Sequence, residues 1–95
     1  MTSEYAIGSH LVNSSLDSNY DVYYWREKNQ EVDFVMRKGK NLVGIEVKSG
    51  RRRERTSGIE SFSKHYKPQR ILLIGEGGIS VKDFLESEPE SWLHY

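Results

Sequence analysis

Hydrophobic and polar residues alternate along EVDFVMRKGKNLVGIEVK, which spans residues 31–48. Alternation with a period of two is typical of half-buried strands, and it is interrupted at Gly39-Lys40. Glycine at the first central position suits a two-residue type II′ turn, so the stretch predicts a β-hairpin. The turn would set Lys38 opposite Asn41, and this fixes every further pair. The apolar pairs on one face would then be Val32 with Val47, Phe34 with Ile45, and Met36 with Val43.

The other face of this hairpin carries charge at positions where a half-buried strand is expected to be apolar. In the predicted register Asp33 lies directly opposite Glu46, and Lys48 follows two residues along the same face. Directly opposed side chains have Cβ atoms roughly 4.5–5.5 Å apart, so the two carboxylates would repel each other. A bound cation or a lysine would relieve this repulsion. A longer turn or a bulge would change the register.

A helical pattern precedes the hairpin. Apolar Ile7 and Leu11 fall on one face of a helix that would begin near the start of the chain and end near Asn13. Glu4 would project from the same face as these two residues. The turn-rich residues that follow lead to an aromatic and β-branched run, DVYYWR over 21–26, which favours a strand.

The second half of the chain predicts two more helices and a buried strand. Residues 59–66 (IESFSKHY) repeat apolar side chains at i, i+3 and i+7, which indicates an amphipathic helix. The continuous apolar run over 70–74 is typical of a buried parallel strand. Ser80 would cap a last short helix over 81–87.

The element order αβββαβα predicts an α/β fold, a mixed β-sheet flanked by helices, and the 95 residues suit a single domain over 1–95. The chain has no cysteine, which excludes disulfides and thiolate metal sites and suits a cytoplasmic protein. No apolar run approaches the roughly 18 residues of a membrane span, and no signal peptide is visible. We therefore expect a cytoplasmic protein without membrane contact.

Charge is segregated along the chain although the formal net charge is zero. Residues 37–70 hold eleven lysines and arginines against three acidic residues, and the remaining residues have the reverse excess. A basic segment of this kind can bind a polyanion locally. Its densest part supplies Arg51, Arg52, Arg53 and Arg55 as candidate nucleic-acid-binding residues. The alternative is a solvated loop whose charge is neutralised within the fold.

The paired carboxylates of the hairpin suit a hard divalent cation such as Mg²⁺ or Mn²⁺. Mg²⁺ takes oxygen ligands, usually one or two carboxylates together with waters and substrate phosphates. Asp33, Glu46 and the Val47 carbonyl would supply such ligands. Lys48 would lie beside the metal and Glu4 would reach the same site, which makes them candidate catalytic residues with the two acids. Such a metal would lower the pKa of a bound water and stabilise charge on a phosphoryl oxygen.

Each candidate also has a simpler explanation. Asp33, Glu46 and Lys48 would form a cross-strand ion-pair ladder on an exposed sheet face, and Glu4 would be a carboxylate favoured at a helix N-terminus. The three histidines are scattered without ligand spacing and are expected at the surface or beside helices. The aromatic residues 23–25 are expected to pack in the core rather than stack on bases. An exposed edge at this aromatic strand would permit a homo-oligomer.

The residues also match a known family pattern. IEVKSG, with Asp33 separated from Glu46 by twelve residues, resembles the PD-(D/E)XK nuclease signature: an acid, a spacer, then Glu-X-Lys at the end of a strand. The order αβββαβ is that family's restriction-endonuclease-like core. The longer string YYWREKNQEVDFVMRKGKNLVGIEVKSG resembles the C-terminal domain of a family of prokaryotic AAA+ type ATPases, a domain of uncertain function regarded as nuclease-like. The resemblance extends from Glu4 to about Leu85.

The resemblance implies a role for each candidate. Asp33 and Glu46 would be metal ligands, Lys48 the catalytic lysine, and Glu4 the first-helix glutamate seen in many such nucleases. Val32 stands where many relatives have proline. The chain contains no GxxxxGK[ST] motif, so the ATPase part is absent and an AAA+ ATPase domain is an implied partner. We expect the chain to be a domain of a longer protein, the product of a truncated gene, or a stand-alone remnant.

Two classes of function follow from these residues, and a third is weaker. The first is a Mg²⁺-dependent phosphodiesterase acting on DNA. The second is a non-catalytic module that binds nucleic acid or a protein partner for an ATPase, and the third is a purely structural terminal domain. Metal dependence separates the first class from the others, whereas salt-dependent DNA binding without cleavage would indicate the second.

Overall fold

The computed structural model describes residues 3–48 and 56–94 and shows an α/β fold. The helices are α1 (Ser3–Ser18), α2 (Ile59–Tyr66) and α3 (Val81–Glu86), followed by a short 3₁₀ helix (Pro89–Leu93). The strands are β1 (Asp21–Glu27), β2 (Gln30–Lys38), β3 (Asn41–Lys48), β4 (Thr56–Ser57) and β5 (Arg70–Gly75). None of the described helices has the length and apolar character needed to cross a membrane.

The strands form one mixed sheet in which β1, β2, β3 and β5 lie side by side in that order. The β1–β2 and β2–β3 pairs are antiparallel, and β5 runs parallel to β3 as the continuous apolar run predicted. The two-residue β4 pairs in parallel with the start of β2. The sequence pattern did not predict β4, because two residues are too few to show alternation. The mixed sheet flanked by helices is confirmed.

Helix α1 is longer than predicted, since it ends at Ser18 rather than near Asn13. Serine and aspartate compete for backbone hydrogen bonds and favour turns, which is why the sequence indicated an earlier end. In the structure the Ser15 hydroxyl donates to the Val12 carbonyl, and the helix continues for another turn. Asn19 then ends it with a left-handed φ of 58°, and its N–H donates to the Ser15 carbonyl.

The turn of the β2–β3 hairpin sets the register as predicted. Gly39 has a φ of +62°, as a type II′ turn requires at its first central residue, and Lys38 pairs with Asn41. The ladder then continues in the predicted register as far as Phe34 opposite Ile45, where it ends. Beyond this point the predicted pairs were wrong, among them Asp33 with Glu46 and Val32 with Val47.

The early end of the ladder has its cause in an irregularity of β2. Tyr23 of β1 pairs with Val35, but Trp25 pairs with Val32, so β2 advances three residues where β1 advances two. An extra residue of this kind bends a strand and disturbs the alternation of its side chains. As a result Val32 and Val35 both pack in the cluster beneath α2, and Val32 does not share a face with Phe34.

The sheet separates two apolar clusters. The larger lies against α1, α3 and the 3₁₀ helix, and it contains the fully buried Ile7 and Leu11 that the helical pattern predicted to face the core. The smaller lies against α2 and is centred on Phe62, with the Trp25 ring edge-on at a centroid distance of 5.6 Å. Helix α2 has the predicted bounds, and the Ser80 hydroxyl caps α3 as predicted by accepting the Asp83 N–H.

Candidate functional site

Two acidic side chains are buried among the residues whose side chains the structure describes: Asp33 is 7% exposed and Glu46 is 4% exposed. Moving an ionised carboxylate out of water is costly unless hydrogen bonds, an opposite charge or a metal compensates. Both residues belong to the set that the sequence singled out. Their burial does not fit an ion-pair ladder on an exposed sheet face.

Asp33 lies at the point where β2 and β3 separate, inside the irregular part of β2. The N–H of Val47 donates a hydrogen bond to Asp33 Oδ2 over 2.8 Å, so a side chain replaces the lost ladder partner. This bond fixes the orientation of the carboxylate. Because the N–H and C=O of one residue in an extended strand point to the same side, the Val47 carbonyl also faces the gap towards β2.

Glu46 and Lys48 lie on one face of β3, since strand side chains alternate. That face is the α2 side of the sheet, because a Cβ at Gly44 would lie 3.4 Å from the Phe62 ring. Ile45 and Val47 point to the opposite side, into the larger core. Lys48 is exposed at the last residue of β3, whereas Glu46 two residues earlier is buried.

Glu4 and Asp33 line the same cleft, on the α1 side of the sheet. A cleft of about 440 Å³ opens between the start of α1 and strands β1 and β2. Its lining residues are Glu4, Val22, Tyr23, Tyr24, Arg26, Glu31, Val32, Asp33 and Phe34. The structure therefore brings Glu4 and Asp33 to one cleft, while Glu46 and Lys48 extend from the other face of β3.

The candidate ligands at this site are oxygen atoms, which are the ligands that a hard divalent cation prefers. Two buried carboxylates on adjacent strands and a backbone carbonyl are ligand types that Mg²⁺ takes, and Mg²⁺ needs few protein ligands because it keeps several waters. Within residues 3–48 and 56–94, no three His, Asp or Glu side chains converge closely enough to hold a metal ion. Asp33 and Glu4 line one cleft, whereas the Glu46 side chain extends from the other face of β3, so the three carboxylates form no common cluster among the described residues.

The cleft also contains an ion pair to which the sequence assigned no role. Arg26 of β1 and Glu31 of β2 are directly opposed, and Arg26 Nε lies 3.7 Å from Glu31 Oε1. The tight connection at Lys28, which has a φ of 57°, places them there. The sequence did contain a signal for this ion pair. The turn between β1 and β2 is short, and a short turn determines which residues of the two strands face each other. The Arg26 side chain is 63% exposed and that of Glu31 is 21% exposed, so water screens the pair in part and its contribution to stability is expected to be small.

The arginines, histidines and aromatic residues that the sequence also singled out agree with the predictions only in part. Arg51, Arg52, Arg53 and Arg55 lie outside the described residues. Two histidines contact backbone carbonyls, each over 2.9 Å: His10 with Ser87, and His65 with Ser61. His65 is exposed on α2, as expected for a surface residue, whereas His10 lies within α1 and is partly buried against Phe84. Of the aromatic residues in β1, Trp25 packs against the α2 cluster as predicted. Tyr23 and Tyr24 are exposed at the surface, so the prediction of core packing was wrong for these two.

Comparison with known proteins gives a family without a described activity. The model of one protein family matches residues 1–86, and that family is described as a domain of unknown function (DUF4143). Comparisons with curated proteins and with solved structures each found no match. Because the family model spans nearly all of the 95 residues, the chain belongs to the DUF4143 family.

Proposed function

We propose that this chain is a Mg²⁺- or Mn²⁺-dependent phosphodiesterase domain with a restriction-endonuclease-like, PD-(D/E)XK core, and that its substrate is DNA. The observation that carries the proposal is the burial of Asp33 and Glu46 on adjacent strands, at the point where those strands separate. The sequence pattern Asp33, Glu46, Lys48 supports the same assignment.

The roles of the chain's own residues follow from their positions. Asp33, Glu46 and the Val47 carbonyl would hold the cation, and the Val47 N–H keeps the Asp33 carboxylate oriented. A bound cation would lower the pKa of a water and stabilise negative charge on the phosphate. Lys48, exposed at the end of β3, would place its ammonium beside the phosphate and neutralise negative charge there, or, as the free amine, accept a proton from the attacking water. Glu4 would act from the α1 side of the cleft.

The proposal extends to the context of the domain. Arg51, Arg52, Arg53 and Arg55 would contact the phosphate backbone, because a dense basic run releases counterions on binding a polyanion. By the sequence resemblance, the domain would serve as the C-terminal part of a cytoplasmic AAA+ type ATPase. That ATPase domain would be its partner.

A metal titration combined with a cleavage assay tests the proposal. Mg²⁺ and Mn²⁺ are titrated into the isotope-labelled chain while NMR follows the amides of Asp33, Glu46 and Val47. In parallel, nicking of supercoiled plasmid is measured for the wild type and for Lys48→Ala. Lys64→Ala, which removes an exposed lysine of α2, is the matched control.

Saturable shifts at the three amides, with nicking that is lost in Lys48→Ala and kept in Lys64→Ala, are the expected result. Loss of the shifts in Glu46→Gln would assign the metal to this carboxylate. If millimolar Mn²⁺ produces no localised shift, and the wild type nicks no DNA, the phosphodiesterase proposal is wrong.

A second candidate is a non-catalytic module that binds nucleic acid or protein. It is favoured by one observation: among the described residues no third acidic or histidine side chain joins Asp33 and Glu46 in a metal-binding group. Metal binding without nicking, or salt-dependent DNA binding that needs no metal, would support this candidate instead.

A further inference from the structure

Tyr24 is an exposed aromatic residue whose ring has no partner in the described part of the chain. It is 65% exposed, and it makes no hydrogen bond or ring contact with any other described residue. Tyr66 of α2, by contrast, is 51% exposed, but its ring packs on Phe62 at a centroid distance of 5.0 Å. Aromatic rings bury a large apolar area when they bind a ligand, and they are enriched at interaction surfaces for this reason. The ring of Tyr24 is therefore open to a ligand.

Tyr24 lies in the same cleft as Asp33. Val22 and Arg26 also line this cleft, and its volume of about 440 Å³ is in the range of small-ligand sites. Val22 packs against the larger core, and side chains alternate along a strand, so Tyr24 and Arg26 also extend from the α1 side of the sheet. Alternate residues of a strand are about 6.6 Å apart, so these two side chains are neighbours. An unpartnered ring, an arginine and a candidate metal ligand thus share one cleft.

Arg26 supplies the basic group of this cleft. Its side chain is 63% exposed, and its Nε lies 3.7 Å from Glu31 Oε1. Among the residues that the structure describes, Arg26 has no further hydrogen bond or ion pair. A guanidinium has several N–H donors, so the pair with Glu31 orients the group and leaves donors for a ligand. Arginine suits phosphate oxygens in particular, because its planar group can donate two parallel hydrogen bonds to them.

A nucleobase can stack on Tyr24 only if one face of the base is free. In a duplex, neighbouring base pairs cover both faces of each base, so proteins that stack aromatic rings on bases bind single strands or extrude the base. Under the proposed function the phosphate that is cleaved lies at Asp33, and a base next to that phosphate would meet the ring. Glu4, Glu31 and Asp33 are acidic, so the cleft does not attract a phosphate backbone by charge alone. Stacking of a base, together with a bound cation, would supply the affinity instead.

We propose that this cleft binds an unpaired nucleobase of single-stranded DNA, with the base stacked on Tyr24 and a neighbouring phosphate bound by Arg26. The role of this base as part of the substrate rests on the proposed phosphodiesterase function. The inference makes that substrate a single strand, or a locally unpaired strand, rather than an intact duplex. Tyr24 and Arg26 are substrate-binding residues in this assignment, and neither takes part in the chemical step.

Three DNA ligands of equal length, about twelve nucleotides, separate the contribution of the bases from that of the backbone. The first is a single strand, the second is its duplex, and the third is a strand that lacks every base but keeps every phosphate. Fluorescence anisotropy measures their binding to the full chain in Mg²⁺, with Lys48→Ala present throughout so that cleavage does not interfere. The intact single strand is expected to bind about tenfold more tightly than the other two, an effect typical of one base stacked on an aromatic ring.

Variants locate the base in the cleft. Tyr24→Leu removes the ring but keeps an apolar side chain, so it is expected to weaken binding of the intact strand about tenfold and to leave binding of the baseless strand unchanged. Tyr24→Phe keeps the ring and should bind as before, and so should the matched control Tyr66→Leu in α2. Arg26→Gln should weaken binding of both strands, because it removes a phosphate contact. Upfield NMR shifts of the Tyr24 ring protons on addition of the intact strand would show stacking directly.

Equal affinity for the intact and baseless strands, or unchanged affinity in Tyr24→Leu, would overturn the proposal. A free nucleoside monophosphate that binds as tightly as the strand would also overturn it, and would make a nucleotide the ligand. Cleavage by the chain without Lys48→Ala separates this inference from the proposed function. If it cleaves single strand and duplex equally and Tyr24→Leu leaves KM unchanged, the phosphodiesterase stands and the base site is wrong. If it cleaves no DNA but binding still requires the Tyr24 ring, the phosphodiesterase proposal is wrong and the base site stands.

Discussion

The backbone N–H of Val47 donates to the Asp33 carboxylate, although β2 and β3 no longer pair at this point. The nitrogen lies 2.8 Å from Oδ2. A hydrogen bond to an ionised acceptor is stronger than one between neutral groups, so this contact helps to hold together two strands that have begun to separate. The same bond fixes the carboxylate that we propose as a cation ligand, and thus stability and function share one side chain.

Two substitutions of Asp33 distinguish the effect of its hydrogen bond on stability from the effect of its charge. Asp33→Ala leaves the buried Val47 N–H without this acceptor, whereas the side-chain oxygen of Asp33→Asn can still accept it. We expect Asp33→Ala to be less stable than Asp33→Asn by about 1–3 kcal/mol, the usual cost of a buried unsatisfied donor. Urea unfolding of both variants measures the difference. Equal stability would show that the bond to Val47 contributes little.

Lys48, the last residue of β3, pairs with Gly75 of β5 in the parallel ladder. Gly75 has a φ of +116°, and a Cβ there would overlap the Lys48 carbonyl oxygen. Gly77 is a matched control, because it also has a positive φ of +86° but no atom lies within 4 Å of the position that its Cβ would take. Gly75→Ala should therefore cost about 1–3 kcal/mol more than Gly77→Ala, as overpacking usually does.

Thermal or urea unfolding compares the two glycine variants, and the Lys48 amide shift reports on the backbone of β3. We expect this shift to move in Gly75→Ala and to stay in place in Gly77→Ala. Similar losses of stability in both variants would mean that backbone strain, and not the overlap with Lys48, sets the cost.

Tyr20 links the end of α1 to the core. Its buried hydroxyl donates to the Leu11 carbonyl over 2.9 Å, and burial raises the pKa of Tyr20 above its usual value of 10.0. A raised pKa in the folded state means that this contribution to stability is complete below pH 10 and is lost as the pH rises through the folded pKa. Tyr20→Phe should cost about 1 kcal/mol at neutral pH, the typical net value of one hydrogen bond.

The pH dependence gives Tyr20→Phe a sharper readout than its stability alone. Unfolding free energies of the wild type and the variant are measured at pH 7 and above pH 10. The gap between them should narrow at high pH, because the wild type alone loses the contribution of Tyr20. If the difference in unfolding free energy between the wild type and the variant does not change with pH, ionisation of the Tyr20 hydroxyl does not affect stability.

The C-terminal segment is attached to the hairpin through Glu90. The Lys38 ammonium hydrogen-bonds to the Glu90 carboxylate, and this bond lowers the pKa of Glu90 below its ordinary value of 4.5. A lowered folded-state pKa means that the stabilisation is present above pH 4.5 and is lost as the pH falls through the folded value. Acid unfolding should therefore be less steep in Glu90→Gln than in the wild type. Glu86→Gln, in the exposed pair with Lys82, is the control and should follow the wild-type curve.

Several features of the fold were predictable because their causes are local. Glycine at the first position of the turn sets the pairing of Lys38 with Asn41, and the register up to Phe34 and Ile45 follows from it without further information. The bounds of α2 follow from its apolar spacing, and the Ser80 cap from the chemistry of its hydroxyl. The choice of Asp33 and Glu46 as unusual residues also needed only the alternating pattern.

Other features depended on contacts between distant parts of the chain. The extension of α1 to Ser18 runs against the local preferences of its serines and its aspartate, so the packed structure determined it. The irregularity in β2 lies in its pairing with β1. The pattern of apolar and polar residues within β2 alone cannot predict it. That irregularity moved Val32 to the α2 side and separated Asp33 from its predicted partner.

The sequence by itself determined the order of the elements other than β4 and the 3₁₀ helix, the hairpin turn and the identity of the two acids, because each depends on residues close together in the chain. Only the tertiary structure decided that Asp33 and Glu46 are buried, that Glu4 shares a cleft with Asp33 and not with Glu46, and that Tyr24 is exposed in that cleft. Whether a side chain is buried, and on which face of the sheet it lies, depends on which helices and strands pack together. No local sequence pattern specifies that packing.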